Sequence, residues 1–370
     1  MKIVFRISSL GFGGAEQVFL SLAKQFVYKP DMEILFLVDK ENGENIKTAK
    51  ELGFTVHSLN VKRTASSIIP LKKFIEQEKP DIILSAYTDT NAACLIGGTL
   101  SKHKPKIIVS EHASLKEHWK NKPMLKRFLL NFYVSYVYRL SSCVICVSNG
   151  LKSQVTTLLG NSHKIKTIYN PVRFTSPEVI EKKVYCSPAP TLKLLAVGRI
   201  CEPKNYETLL RAVALISKSR ACELKIVGGI FCHKEYEKLQ SNIAELGIER
   251  LVSFEGYSEN VADFYKNADI FVLSSAWEGF GNVIVEAMSF GVPIVSTNCN
   301  FGPSEILENG KYGRLVPVGD YVSLAEAIFD ELEKPTIPQK QLIERSKDFS
   351  EQVIASQYFE IITGVLNEKI

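Results

Sequence analysis

No apolar run in this sequence is long enough to cross a membrane, and the chain carries little net charge. A membrane-spanning helix needs roughly 18 consecutive apolar residues, and no uninterrupted run reaches that length. The formal net charge of +5 over 370 residues is mild and does not indicate a nucleic-acid-binding protein. Met1–Arg6 is too short and too charged for a signal peptide, so we interpret it as the first strand of a cytosolic protein.

The sequence also lacks the patterns of metal and redox sites. Its eight cysteines are scattered, and no histidine and cysteine cluster or DxD motif is placed as a metal site requires. Cys143 and Cys146 have CxxC spacing, but alternation along a strand places them on opposite faces. We interpret the cysteines as small buried residues in a reducing compartment, and we predict neither a metal nor a cofactor.

Short β-branched runs alternate with helical patterns along the chain. This rhythm is typical of doubly wound parallel sheets, and 370 residues are too many for one ordinary core. The proline-rich, charged segment 172–190 has no clear period and is interpreted as a linker. We therefore predict one α/β domain over residues 1–171 and a second over residues 191–349. Helical patterns over Leu324–Glu333 and Gln339–Leu366 end the chain.

The clearest site pattern lies between Ile270 and Glu305. The apolar run Ile270–Leu273 predicts a buried parallel strand, and a glycine-punctuated loop, a helix and another strand follow it. Open α/β sheets bind ligands at this carboxyl end of the strands. Gly279 and Gly281 allow a ligand to approach the backbone, and the first N–H groups of the following helix favour an anion such as a nucleotide diphosphate.

Charged residues surround this loop at a spacing that suits a sugar nucleotide. Glu278 precedes the loop and Glu286 lies about one turn into the helix that follows it, so the two carboxylates can flank a ligand. Carboxylates repel phosphate but accept hydrogen bonds from sugar and ribose hydroxyls. Arg199 and Lys204 lie in an earlier strand-to-helix loop, from which two cations can reach one diphosphate. The alternative is a solvated helix with two unrelated glutamates and ordinary surface cations.

The first domain offers a glycine-rich loop and a histidine at predicted strand ends. Gly13 and Gly14 lie between the first strand and the first helix, with backbone amides free for an anion or an acceptor. The loop does not match GxGxxG, which argues against a nicotinamide-dependent dehydrogenase. His112 follows another strand at the same edge of the sheet. A packing turn and a structural histidine are the respective alternatives.

The segment 119–139 combines basic and aromatic residues in a helical pattern. It contains Trp119, Lys120, Lys126, Arg127 and several phenylalanines and tyrosines. A basic, aromatic-rich helix fits the surface of an anionic membrane, where each basic group contributes about 1 kcal/mol. The alternative is an ordinary apolar helix packed on the sheet, and both descriptions can hold for different ends of the segment.

The central stretch resembles a known family of enzymes. Glu278, seven intervening residues and Glu286 resemble the EX7E signature of retaining GT-B glycosyltransferases of glycosyltransferase family 4. Pro303–Glu305 resembles the GPSE variant of bacterial surface-polysaccharide enzymes, and Gly13–Glu16 resembles the family's GGAE segment. The resemblance implies two Rossmann-like domains that face each other across a cleft. It also implies that residues 350–370 return to pack on the first, acceptor-side domain.

The resemblance also implies roles for individual residues. Arg199 and Lys204 match the family's GR…K element, whose cations hold the donor phosphates. Glu278 would bind the hydroxyls of the transferred sugar, and Glu286 would bind the ribose. His112 would form a hydrogen bond with a sugar hydroxyl and would not act as a nucleophile. The remaining predicted donor-binding residues are Gly13, Gly14, Gly228, Gly279, Phe280, Gly281 and Asn282.

The implied function is a retaining, metal-independent transfer of a hexose or N-acetylhexosamine from a UDP-sugar. The leaving phosphate would take the proton of the acceptor, which we expect to be a polyprenyl-diphosphate-linked saccharide of an O-antigen, capsule or protein glycan. The enzyme would be cytoplasmic and peripheral on the inner membrane, with no nucleic acid as partner. Soluble acceptors, a decayed sugar-nucleotide-binding subunit and a GT-B sugar-nucleotide epimerase are the alternatives. The pattern favours UDP-activated galactose, glucose or their N-acetyl forms over GDP-mannose.

Overall fold

The computed structural model describes residues 1–11, 13–29, 31–120, 122–160, 164–173 and 191–368. It divides into two compact units, of which unit 1 is Met1–Pro171 with Ser350–Ile370 and unit 2 is Val172–Phe349. Both units are built on parallel sheets with helices, which confirms the predicted class of two Rossmann-like α/β domains. Most of the predicted linker 172–190 lies outside the described residues.

Unit 1 contains a seven-stranded parallel sheet in the order β3-β2-β1-β4-β5-β6-β7. The strand order reverses between β1 and β4, which creates the crevice where such sheets bind ligands. The strands are β1 Lys2–Arg6, β2 Glu33–Val38, β3 Thr55–Ser58, β4 Ile82–Ala86, β5 Lys106–Glu111, β6 Cys143–Cys146 and β7 Ile165–Thr167. The helices are α1 Gly14–Phe26, α2 Asn45–Glu51, α3 Ile68–Glu78, α4 Thr88–Leu100, α5 Leu115–Trp119, α6 Met124–Tyr138, α7 Asn149–Leu159 and, at the end of the chain, α15 Glu351–Asn367.

Unit 2 contains a six-stranded parallel sheet in the order β10-β9-β8-β11-β12-β13. Its strand order reverses between β8 and β11, so the ends of these two strands form the corresponding crevice. The strands are β8 Leu192–Val197, β9 Cys222–Val227, β10 Val252–Gly256, β11 Ile270–Leu273, β12 Ile294–Thr297 and β13 Arg314–Val316. The helices are α8 Tyr206–Ile216, α9 His233–Leu246, α10 Ala262–Asn267, α11 Asn282–Ser289, α12 Pro303–Ile306, α13 Tyr321–Glu333 and α14 Gln339–Ser346.

The chain ends in two helices rather than in one continuous pattern. The predicted helical stretch Gln339–Leu366 is interrupted after α14, because Ser350 has an extended backbone and its side chain accepts a hydrogen bond from the N–H of Val353. A serine in this position caps the start of a new helix. Helix α15 then buries Ile354 and Tyr358 in the core of unit 1. This confirms the prediction that the last helix returns to the first domain.

The predicted basic helix over residues 119–139 is wrong in extent. Trp119 ends the separate helix α5 and is only 4% exposed, whereas α6 begins at Met124 after Pro123. Proline lacks the backbone N–H that a helix interior requires, so it precedes a helix more readily than it continues one. Among the described residues, no helix combines the length and the apolar character needed to span a membrane.

The cysteines fit their predicted structural role only in part. Cys143 and Cys146 are both buried in β6. Of the two, only Cys143 belongs to the core cluster that includes residues of α15, because the two side chains lie on opposite faces of the strand. The prediction of burial is wrong for Cys201 and Cys232, which are partly exposed because they lie in loops beyond strand ends. In the part of the chain that the structure describes, no group of three His, Cys, Asp or Glu residues is arranged to hold a metal ion.

Candidate active site

The loop after β8 folds back against the end of its own strand. The chain leaves β8 through Gly198, whose φ is +157°, and a Cβ at that position would lie 2.8 Å from Cε of Lys204. The Tyr206 hydroxyl donates a hydrogen bond to the Gly198 carbonyl at 2.8 Å. A side chain at residue 198 would therefore displace Lys204, and the close packing fixes this lysine at the carboxyl end of the sheet.

Lys204 and Glu278 form an ion pair at this sheet edge. Their Nζ and Oε1 atoms are 2.7 Å apart, and the two side chains are 16% and 14% exposed. Ser275 Oγ donates a second hydrogen bond to the same Oε1 at 2.7 Å, and Ser274 Oγ donates to the Lys204 carbonyl at 2.9 Å. Two predicted site residues that are far apart in the chain are thus in direct contact, because β8 and β11 are neighbours in the sheet.

The loop that carries Glu278 is supported by the segment around Pro303. Gly302 has a φ of +98°, and a Cβ there would overlap the backbone of Phe280. The Glu278 N–H also donates a hydrogen bond to the Asn300 carbonyl at 3.3 Å. The GPSE-like segment therefore has a clear structural role, since its glycine allows one loop to lie directly against the other.

The predicted loop residues Phe280, Gly281 and Asn282 lie in different surroundings. The Phe280 side chain is 2% exposed and packs against Phe349, with ring centroids 5.6 Å apart. Gly281 has a φ of +101° and is the N-cap of α11, which begins at Asn282. The core thus holds the Phe280 ring, while the backbone around Gly281 and Asn282 presents the helix start that was predicted to face an anion.

Glu286 lies in α11 and is held by a residue that the sequence did not indicate. The hydroxyl of Tyr265, in α10, donates a hydrogen bond to Oε2 of Glu286 at 2.8 Å. Burial raises the pKa of Glu286, while the Tyr265 hydrogen bond and the positive charge of Lys204 oppose that rise. Lys204 is therefore electrostatically coupled to both carboxylates of the EX7E pattern.

Arg199 extends from the same loop as Lys204 but has a different environment. It is exposed, and its guanidinium lies over the ring of Phe231, 4.6 Å from the ring centroid. Such stacking orients the planar guanidinium while its N–H donors stay available. Within the described ranges Arg199 has no carboxylate partner, so it can offer a paired set of donors to a phosphate.

Gly228 brings the ends of β8 and β9 together. Its φ is +152°, and a Cβ there would overlap the Gly198 carbonyl. The Gly198 N–H donates a hydrogen bond to the Val227 carbonyl at 2.8 Å. A larger residue at position 228 would separate the two strand ends, and the loop that carries Arg199 and Lys204 would shift with them.

In unit 1 the predicted glycine-rich loop leads directly into α1. Gly13 is the N-cap and Gly14 the first helical residue. The Glu16 carboxylate folds back over Gly13 so closely that a Cβ at residue 13 would collide with it, and the Tyr87 hydroxyl donates a hydrogen bond to Glu16 at 2.6 Å. The absence of a side chain at Gly13 thus allows an acidic group to lie at the positive end of the helix.

His112 is positioned to form hydrogen bonds as a neutral ring. Its Nε2 lies 2.9 Å from Ser110 Oγ, and its buried Nδ1 has no hydrogen-bond partner in the described part of the chain. Burial lowers the pKa of His112 to about 4, so the imidazole is uncharged at neutral pH. The predicted role of binding a hydroxyl requires a ring nitrogen without a partner, and the one that His112 has, Nδ1, is buried.

Glu111 precedes His112 and was missed by the sequence reasoning. It is 2% exposed and accepts hydrogen bonds from Thr88, Asn91 and the Tyr138 hydroxyl. Burial raises its pKa to about 7 although these hydrogen bonds oppose the rise. Glu111 also lines a cavity of about 200 Å³ at the β1–β4 crevice, together with Ser8, Thr64, Tyr87, Thr88, Asp89, Thr90, Ala113 and Ser114.

The two parallel sheets, each with a crevice where its strand order reverses, form the GT-B architecture of glycosyltransferases. Comparison with protein families gives the same class for both halves of the chain. Residues 12–175 match the model "Glycosyltransferase Family 4", and residues 180–349 match the model "Glycosyl transferases group 1". The two matches do not overlap and together span most of the sequence. The chain is a group 1, family 4-like glycosyltransferase.

Individual relatives and solved structures agree with this assignment. The chain is 26% identical to the GalNAc-alpha-(1->4)-GalNAc-alpha-(1->3)-diNAcBac-PP-undecaprenol alpha-1,4-N-acetyl-D-galactosaminyltransferase of Campylobacter jejuni, over 99% of both chains. It is 28% identical to the lipopolysaccharide 1,6-galactosyltransferase of Salmonella typhimurium, over 86% of each chain. The fold is similar to that of Anabaena HepE in complex with UDP and glucose, with a TM-score of 0.81, 22% identity and coverage of 98% and 99%.

Proposed function

We propose that the protein is a retaining, metal-independent glycosyltransferase that moves a hexose or N-acetylhexosamine from a UDP-sugar to a lipid-linked saccharide in cell-surface glycan biosynthesis. The observation that carries the proposal is the group at the β8–β11 crevice, where Lys204 lies against Glu278 and is coupled to Glu286. One cation between two carboxylates suits a diphosphate that has a sugar on one side and a ribose on the other.

Departure of the nucleoside diphosphate is the step that needs most stabilisation, because negative charge grows on its β-phosphate. We propose that Lys204, Arg199 and the first N–H groups of α11 offset that charge. Glu278 would then accept hydrogen bonds from hydroxyls of the transferred sugar, and Glu286 from the ribose. The leaving phosphate would take the proton of the acceptor, so that no separate protein base is required.

The lipid-linked acceptor and the membrane surface are supported by two further observations. The Campylobacter relative is named for an acceptor that contains undecaprenol. Helix α6 exposes a continuous set of large apolar side chains, and no acidic residue occurs between residues 118 and 139. An exposed apolar face among basic residues fits the surface of an anionic bilayer.

The first test is thermal unfolding of the purified protein with UDP, GDP, ADP, CMP or NAD, each in the presence of EDTA. We expect UDP alone to raise the unfolding temperature, because a bound ligand stabilises the folded state. Stabilisation by GDP instead would exclude the UDP-sugar, and a requirement for divalent metal would exclude the metal-independent mechanism. An unchanged unfolding temperature with every nucleotide would contradict the nucleotide-binding site itself.

A further inference from the structure

The Glu286 carboxylate is held at one of its two oxygens. Oε2 accepts the hydrogen bond from the Tyr265 hydroxyl at 2.8 Å, and this is the one hydrogen bond that the carboxylate makes within the described ranges. The residue as a whole is partly exposed, and Oε1 is not among the buried atoms that lack a partner. The carboxylate therefore has one oxygen fixed inside the protein and one that can meet a ligand.

Tyr265 itself cannot easily move. It is 1% exposed, and its ring stacks on Phe290 with centroids 5.4 Å apart and an interplanar angle of 10°. Phe271 of β11 contacts the same ring, with centroids 5.9 Å apart. Aromatic packing of this kind fixes the ring, so the direction of its hydroxyl is set by the core of unit 2.

We propose that Tyr265 is a positioning residue for donor binding, which orients Glu286 so that its free oxygen accepts the ribose hydroxyls of the nucleotide. The inference rests on the proposed function, in which Glu286 binds the ribose. Tyr265 does not need to contact the ligand for this role. It acts through the carboxylate, in the way that outer groups orient a ligand-binding side chain elsewhere.

The Tyr265 hydroxyl also affects the protonation of the Glu286 carboxylate. Burial favours the protonated form of Glu286, whereas the hydrogen bond from Tyr265 and the charge of Lys204 favour the ionised form. An ionised carboxylate accepts hydrogen bonds at both oxygens, but a protonated one loses part of that capacity. Removal of the hydroxyl should therefore weaken ribose binding more at low pH than at high pH.

The test is Tyr265→Phe, which keeps the stacked ring and removes only the hydroxyl. Affinities for UDP and for 2′,3′-dideoxyuridine diphosphate are measured by calorimetry at pH 6 and pH 8.5. We expect UDP affinity to fall about tenfold, the usual effect of one hydrogen bond to a charged group, with a larger loss at pH 6. Affinity for the dideoxy nucleotide should be the same as in the wild type.

Tyr236→Phe is the matched control in the same unit. The Tyr236 ring packs on Phe254 with centroids 5.1 Å apart, and its hydroxyl accepts a hydrogen bond from Gln240 at 2.8 Å, so the same atom is removed from a structural contact. This variant should bind both nucleotides like the wild type. If Tyr265→Phe does not fold, Glu286→Gln provides the second variant, with the same selective loss of UDP binding expected.

The outcomes separate this role from the proposed function. A folded Tyr265→Phe variant with wild-type UDP affinity and pH profile would contradict the positioning role while the proposed function stands. Equal losses for UDP and the dideoxy nucleotide would contradict it as well, because they would indicate a general change of the site. A wild-type protein that binds no nucleotide would overturn the proposed function, and this role with it.

Discussion

At the scale of residues, the Lys204–Glu278 ion pair determines how strongly the site attracts a phosphate. The carboxylate neutralises the ammonium across 2.7 Å in a setting that is largely shielded from solvent, where charge pairs interact more strongly than at the surface. A diphosphate that approaches Lys204 must therefore compete with Glu278. The roles of Lys204 and Glu278 in ligand binding therefore depend on each other, because each side chain changes the charge that the other presents to the ligand.

The first prediction concerns this competition. Glu278→Gln removes the competing charge but keeps an acceptor for Ser275, so we expect UDP to bind several-fold more tightly, while sugar transfer is lost. Lys204→Ala removes the phosphate-binding cation and should abolish both UDP binding and transfer. Calorimetry with UDP and a transfer assay measure the two effects separately.

The control for this prediction is Glu207→Gln, which disrupts a more exposed ion pair with Arg211 and Lys238 in the same unit. It should leave UDP binding and transfer unchanged. Weaker UDP binding by Glu278→Gln would show that the carboxylate does not compete with phosphate. Normal turnover by either Glu278→Gln or Lys204→Ala would contradict the assignment of the site.

The second prediction at this scale concerns Glu111 and pH. Its pKa is raised to about 7 in the folded protein, from about 4.3 in an unfolded chain. The folded state therefore binds more protons between these values, and its stability falls as pH rises from about 4 to 7, by roughly 4 kcal/mol in total. The loss is complete above pH 7.

Glu111→Gln cannot ionise at this position. The free energy of unfolding of the variant should therefore lack the loss with rising pH that the Glu111 carboxyl causes in the wild type. Relative to the wild type, the variant should gain roughly 3 kcal/mol between pH 5 and pH 8, as measured by urea unfolding at both values. Glu51→Gln, at an exposed position of the same unit, should follow the wild type. Parallel pH profiles for the wild type and Glu111→Gln would show that the buried carboxyl is not protonated at neutral pH.

At the scale of elements, α6 combines an anchored end with an exposed face. Val134, Val137 and Tyr138 are buried near its carboxyl end, and Tyr138 is bound to Glu111. The exposed apolar residues recur every four positions, which places them on one side of the helix. They are Met124, Leu125, Phe128, Leu129, Phe132, Tyr133 and Tyr136.

We predict that this face binds anionic membranes. Sedimentation with vesicles that contain phosphatidylglycerol should recover the wild type, and vesicles of phosphatidylcholine alone should recover much less, because both apolar insertion and positive charge contribute. Phe128→Glu with Phe132→Glu should reduce binding to the anionic vesicles at least tenfold. Tyr28→Glu, at an exposed aromatic residue of the same unit, is the control and should bind normally.

Binding of the double variant to anionic vesicles at the wild-type level would exclude α6 as the contact surface. Equal recovery of the wild type on neutral and anionic vesicles would exclude the electrostatic contribution of Lys126 and Arg127. UDP binding should be unchanged in both the double variant and the control, which separates membrane contact from the donor site.

At the scale of the whole molecule, the order of elements could be predicted from the sequence. Buried parallel strands are continuous β-branched runs, so Ile270–Leu273 is a strand over the predicted residues. Two helix boundaries were not predicted, the break after α14 and the start of α6, and they depend on the single residues Ser350 and Pro123, which end a periodic pattern locally.

The sequence by itself determined the α/β class, the position of the loop at the end of β11 and the spacing of Glu278 and Glu286, because these follow from local periodicity and from nine consecutive residues of one loop and helix start. Only the tertiary structure decided that Lys204 contacts Glu278 and that Tyr265 holds Glu286. Those contacts join residues 74 and 21 positions apart. They depend on which strands are neighbours and on how α10 and α11 pack, and no local pattern in the sequence records either of these.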